Sequence, residues 1–233
     1  MRNEPVLLVH GFASSFERNW REPGWVDLLK EAGREIIPLD LLSHGNAEKP
    51  HDPAAYADLE GDVARALPAS GQVDAVGFSL GAQLLLRVAA EQPDRFGKIV
   101  VGGVGANMFA GGSGESVAAA VESGTAGESD AGPAGSVARA FIQFAEGPGN
   151  DPKALAACLR RPSRRVAPED LAPIQCPVLV VLGDKDFAGP ADPLVEALPN
   201  AQFVSLRGLD HFGTPKDFRF LDAALEFLEA VPV

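Results

Sequence analysis

The pentapeptide Gly77-Phe78-Ser79-Leu80-Gly81 constrains this chain more than any other stretch. Before it runs Gln72-Val73-Asp74-Ala75-Val76, short and partly β-branched, with the character of a buried strand. After it runs Ala82 to Ala90, whose apolar spacing and good helix formers predict a helix. A chain that passes straight from strand to helix leaves little room at the turn, and a glycine on either side of the serine removes the side chains that would collide. Such a G-x-S-x-G turn holds the central hydroxyl clear of the backbone, in an unfavourable backbone region, and makes Ser79 a candidate nucleophile. The string alone also suits a plain Gly-Ser turn with Ser79 as the N-cap of the following helix.

The rest of the chain alternates in the same way. Pro5 to Val9 is a continuous apolar run, as expected for a strand buried on both faces. Trp25 to Ala32 has helical spacing and stops at Gly33, which suits a left-handed helix end. Arg34 to Asp40 predicts the next strand, Pro53 to Leu67 a helix, and Gly97 to Gly102 a fourth strand. After a break come the strands Cys176 to Leu182 and Ala201 to Leu206, and the helices Asp192 to Leu198 and Lys216 to Ala230. Strands alternating with helices imply βαβ units: an α/β fold with a mostly parallel central sheet of about six strands flanked by helices.

The break runs from Gly103 to about Arg165, rich in Gly, Ala and Ser, with helix-like pieces at Glu115–Glu122, Val137–Glu146 and Pro152–Arg160. It is too long for a simple connection and carries no strand signal. Residues 1–104 and 166–233 are therefore expected to form the core, and 105–165 an inserted helical cap or lid, with inert decoration as the alternative. The glycine-rich part, Gly111 to Gly135, has the composition of a mobile or partly disordered segment.

At 233 residues one domain with a full core is expected. A net charge of −12 argues against a nucleic-acid partner, because phosphate binding needs clustered Lys and Arg. No apolar run approaches a bilayer span, and no secretory signal is recognised at the N-terminus, so a cytoplasmic protein without membrane association is expected. Cys158 and Cys176 are read as reduced thiols without a catalytic role. The histidines lack close i, i+4 pairing and no phosphate-binding glycine loop occurs, so neither a metal nor a cofactor is implied. Oligomeric state is not legible.

A serine nucleophile needs a base, and there are four histidines: His10, His44, His51 and His211. His211 lies in the loop between the last strand and the last helix, and loops after the carboxyl ends of parallel strands converge on one edge. Ser79 and His211 therefore emerge together. The imidazole needs a carboxylate to fix its tautomer, and Gly183-Asp184-Lys185-Asp186 follows a strand on the same edge. Asp184 and Asp186 both qualify by position. His10 and His44 read as structural histidines bonding neighbouring backbone, and His51 as exposed.

Together these segments resemble the α/β-hydrolase family over nearly the whole chain outside the insertion. Val9-His10-Gly11-Phe12 is similar to the family's H-G-aromatic segment, Gly77 to Gly81 to its nucleophile elbow, Gly183-x-x-Asp186 to its acid turn and Gly208-x-x-His211 to its base loop. Asp40 through Ser43-His44-Gly45 resembles its D-x-x-G-H-G segment, with Ser43 where glycine is usual. The resemblance implies Ser79 as nucleophile, His211 as base and then acid, and Asp186 as the orienting carboxylate, with Asp184 its competitor two residues away. It implies an oxyanion hole from the backbone N–H groups of Phe12 and Leu80.

Phe12, Trp20, Phe78, Phe187 and Phe212 are expected near the site and suggest an apolar substrate part, and Phe109, Phe141 and Phe144 are candidates for its roof. The implied activity is hydrolysis of a carboxylic ester of a small, partly apolar molecule through an acyl-enzyme. Thioester, amide, lactone or carbon–carbon hydrolysis and a perhydrolase-type reaction use the same residues, and a non-enzymatic ligand receptor of this fold is the alternative from another class. A serine at the elbow sets the chain apart from the haloalkane dehalogenases and epoxide hydrolases, which resemblance assigns an aspartate there.

Overall fold

The computed structural model describes residues 4–110, 114–125 and 133–232. Six strands form one sheet: β1 (Val6–Val9), β2 (Ile36–Leu39), β3 (Val73–Phe78), β4 (Phe96–Gly102), β5 (Val178–Gly183) and β6 (Ala201–Leu206). Their order is β2-β1-β3-β4-β5-β6, and every pairing is parallel. The helices among the described residues are α1 (Trp25–Glu31), α2 (Leu59–Ala66), α3 (Leu80–Glu91), α4 (Glu115–Ser123), α5 (Pro133–Ala145), α6 (Pro152–Leu159), α7 (Asp192–Ala197) and α8 (Phe218–Phe227). None is long and apolar enough to cross a membrane.

Both faces of the sheet are covered, which is why its strands read as unbroken apolar runs. Val6, Leu8, Val76, Val100 and Val181 pack with α1 and α8 on one face. Leu7, Val9, Ala75, Val101 and Val180 pack with α2, α3 and α7 on the other. The α1 helix closes as the sequence predicts. Gly33 sits at φ +77°, its N–H bonds the Lys30 carbonyl and the Arg34 N–H reaches back to Leu29, a Schellman end.

β1 connects to β2 on one side while β3 lies on its other side, so the loops leaving β1 and β3 diverge at their carboxyl ends. That reversal opens a crevice at the switch point of the sheet. At the opposite end the fully buried Arg34 guanidinium bonds the Asp74 carboxylate at 2.5 Å and donates to the Glu4 and Leu228 carbonyls. Arg34→Met removes the cation from a buried carboxylate and is expected to cost about 3–5 kcal/mol. In thermal unfolding that is a fall in Tm of about 6–20 °C, and a fall of under about 3 °C would show the pair contributes little.

Two expectations of the sequence are corrected, and one turn is added to them. The single helix over Pro53–Leu67 divides into a 3-10 turn (Pro53–Tyr56) and α2, because two aspartates each cap a new N-terminus: Asp52 accepts from the Ala54 N–H and Asp58 from the Gly61 N–H. The last helix likewise divides at Asp217, which caps α8 by accepting from the Arg219 N–H behind a 3-10 turn at Thr214–Lys216. Glu17–Arg21 forms a π-helical turn that burial of Asn19 and Trp20 accompanies and that no periodicity announced. Of the glycine-rich stretch Gly111–Gly135, residues 111–113 and 126–132 lie outside the described residues. Between them stands α4, with Gly114 and Gly124 at positive φ at its two ends.

Candidate active site

Ser79 is the last residue before α3 and adopts φ +51°, ψ −113°, outside the regions an L-residue favours. Such a conformation costs about 1–3 kcal/mol and persists only where the surroundings impose it. The flanking glycines show what imposes it. A Cβ on Gly77 would stand 2.8 Å from the Ala82 Cα, and one on Gly81 would overlap the Val9 and His10 carbonyl oxygens. The Ser79 side chain makes no capping bond to α3. Its Oγ lies 2.9 Å from His211 Nε2 instead.

His211 is 3% exposed, and its Nδ1 lies 2.9 and 3.0 Å from the two oxygens of the Asp186 carboxylate, a fully buried side chain. With Asp186 ionised, Nδ1 donates to it and Nε2 is left to accept from the serine hydroxyl. Asp186 Oδ1 also accepts the Ala188 N–H at 2.8 Å, which fixes the carboxylate's rotation. Asp184 is exposed and faces away from this line. Its Oδ1 accepts the Gly208 N–H at 2.7 Å, tying the turn after β5 to the loop that carries His211. The Lys185 N–H, donating to the Leu209 carbonyl at 3.0 Å, is a second tie.

The loop after β1 packs on the serine: a Cβ on Gly11 would stand 3.4 Å from the Ser79 Cβ and 3.1 Å from the Phe78 ring. Among the described residues neither the Phe12 nor the Leu80 amide N–H has a hydrogen-bond partner. Leu80 opens α3, so its N–H also carries the positive end of that helix. Asn19, which the sequence reading passed over, fixes the loop by accepting the buried Gly11 N–H on Oδ1 at 3.1 Å. Only the fold brings residue 19 beneath residue 11, so no local pattern signals it.

The other histidines hold backbone. The Leu41 N–H donates to His10 Nε2 at 3.1 Å, and His10 Nδ1 lies 2.8 Å from the Gly11 carbonyl, so the ring braces the β1 and β2 loops against each other. Burial pushes its pKa down. Burial first, and then the neighbouring His10, pushes His44 down to about 3. Its Nδ1 lies 3.0 Å from the Leu42 carbonyl and 2.9 Å from Ser43 Oγ. His51 is half-exposed and pairs with Asp151 at 2.8 Å.

A cleft of about 340 Å³ opens at Ser79, lined by Phe12, Phe78, Phe141, Phe144, His211 and Phe212 among others. Phe187 lies against His211 with ring centroids 4.3 Å apart and lines a second cleft. Phe144 stacks on Phe212 at 5.3 Å, so α5 stands over the site. Trp20 is a correction: it lines neither cleft and is fully buried edge-on against Trp25, because the π-helical turn aims it into the core beside α1. Phe109 packs against the core and lines neither cleft. Cys158 and Cys176 are free thiols, buried and half-buried.

Residues 6–230 match the model of the alpha/beta hydrolase family. NocK of Nocardia uniformis subsp. tsuyamanensis, named as a candidate esterase, is 32% identical over 102 residues, 39% of this chain and 30% of its own length. A haloalkane dehalogenase of Psychrobacter cryohalolentis is 30% identical over 111 residues, 42% of this chain and 33% of its own. The match thus spans about a third of each of those relatives. A thermophilic esterase from Thermogutta terrifontis has the same fold, with TM-score 0.71 and 23% identity over 99% of this chain and 91% of that one.

Proposed function

Since this chain belongs to the alpha/beta hydrolase family, we propose that it is a serine hydrolase of carboxylic esters, working through an acyl-enzyme on Ser79. The observation that carries the reading is the unbroken line of hydrogen bonds from Asp186 through His211 to a serine held at positive φ. Ser79 Oγ attacks the ester carbonyl while His211 Nε2 takes its proton, and Asp186 stabilises the imidazolium. Negative charge on the carbonyl oxygen is met by the Phe12 and Leu80 amides. The imidazolium then protonates the departing alkoxide, and a water deprotonated by the same nitrogen releases the acid.

The elbow serine selects the carbonyl chemistry over that named for the dehalogenase relative. Displacing a halide with a serine oxygen would leave an alkyl ether, which no group in the site can hydrolyse. Attack on an ester carbonyl leaves an acyl ester, which the same groups can. The aromatic walls of the first cleft suit an apolar part of the substrate, and residues 105–165 serve as the cap through Phe141 and Phe144.

A fluorophosphonate probe is expected to label Ser79, and p-nitrophenyl acetate and butyrate to be turned over. Absence of both would end the hydrolase reading. Asn19→Leu removes the acceptor of the Gly11 N–H, letting the Phe12 amide shift. It is expected to lower kcat about ten- to a hundredfold with KM little changed, and an unchanged kcat would show that the loop holds its place without Asn19.

A further inference from the structure

A second cleft of about 230 Å³ meets the first at Ser79, and its charged lining among the described residues is of one sign. Gln83, Arg87, Asn107 and Arg161 line it, and no Asp or Glu is among the described residues that do. This stands out in a chain of net charge −12. Gln83 and Arg87, at i and i+4, share one face of α3, and Ser79, just before the helix, lines the same cleft.

The donors are only partly used. Arg161, just beyond α6, donates to the Cys158 carbonyl at 2.9 Å and has no carboxylate within bonding reach among the described residues. Arg87 donates to the Arg164 carbonyl at 2.7 Å, and its carboxylate partner, Glu60, stands off at 3.7 Å. Asn107 spends Oδ1 on the Gly105 N–H, which leaves its amide nitrogen free to donate. Burial pushes the Arg87 pKa down; Arg161 and Arg164 add to this by like-charge crowding, while Glu60 and Asp170 oppose it. A bound anion would relieve that crowding.

Arg87 lies eight residues along α3, about 12 Å of rise from Ser79. The cleft runs along that face of α3 from Ser79 to Arg87.

We propose that this cleft is a carboxylate subsite, so that the preferred substrate is an ester carrying a free carboxylate in its acyl or its alcohol half. The proposal rests on the esterase reading and sharpens its substrate class.

The test compares matched esters: mono-p-nitrophenyl adipate against p-nitrophenyl hexanoate for the acyl half, and 4-(butanoyloxy)benzoate against phenyl butanoate for the alcohol half. In wild type the kcat/KM ratio of anionic to neutral ester is expected to exceed one in at least one pair and to fall with added salt. Arg161→Gln is expected to lower that ratio about tenfold, and Arg87→Gln, measured alongside it, likewise. Ratios at or below one in both pairs, or a ratio unmoved by both substitutions, would overturn the proposal. If no ester is turned over, the esterase reading fails by itself. The same ratios, taken as Kd values of the esters on Ser79→Ala, then decide the subsite by the same two outcomes.

Discussion

Ser79→Ala is expected to lower kcat for p-nitrophenyl butyrate by about 10⁵–10⁶ while KM changes little. The size follows from the division of labour in the proposed mechanism. Cleft and amides still hold the ester, but no oxygen remains at the turn for His211 to deprotonate. The loss is not one of folding. Alanine has the Cβ of serine, and Ser79 Oγ makes no bond to the helix it precedes, so Tm is expected within a few degrees of wild type. Turnover within tenfold of wild type would mean that some other group attacks the ester. The free thiols would be poor substitutes. Burial pushes Cys158 up, and Cys176 up to about 11, so little thiolate is present near neutral pH.

Asp186→Asn is expected to lower kcat by about 10⁴, and Asp184→Asn to change it by less than about threefold. An asparagine at 186 can keep Oδ1 on the Ala188 N–H, which places its amide NH2 at the Oδ2 position, 3.0 Å from His211 Nδ1. That arrangement favours the imidazole tautomer with its proton on Nε2, which cannot accept one from serine. At 184 the carboxylate does a different job. It accepts the Gly208 N–H on one oxygen, and an asparagine carbonyl can do the same. Measured kcat values in the reverse order would show that the hydrogen-bonded carboxylate is not the one that orients the base.

Much of the fold was legible because parallel strands buried on both faces leave an unmistakable trace. All six appear within two residues of where the apolar runs put them. The helix ends that were misplaced at Asp58 and Asp217 turned on side-chain capping, which competes with apolar periodicity and can interrupt it without changing the pattern. The serine, its histidine and the two candidate carboxylates were legible as well, since each sits just after a strand. Trp20 was misread as a pocket residue because its neighbours in sequence flank the site. The π-helical turn rotates it into the core and leaves Asn19 under the Gly11 loop.

By itself the sequence determined the layering, the parallel sheet and the edge on which the chemistry gathers, because strand burial and loop position follow from local pattern. It also determined that residue 79 must be flanked by glycines, whose missing side chains the turn requires. Only the tertiary structure shows that Asp186 meets His211 while Asp184 bonds the Gly208 N–H instead. Two residues on one turn point in different directions, and their partners come from a loop more than twenty residues away. The same holds for the arginine-lined cleft, where Arg87 and Arg161 are brought to one wall by packing between segments. Periodicity reports which face of an element is buried, and carries no record of what that face is buried against.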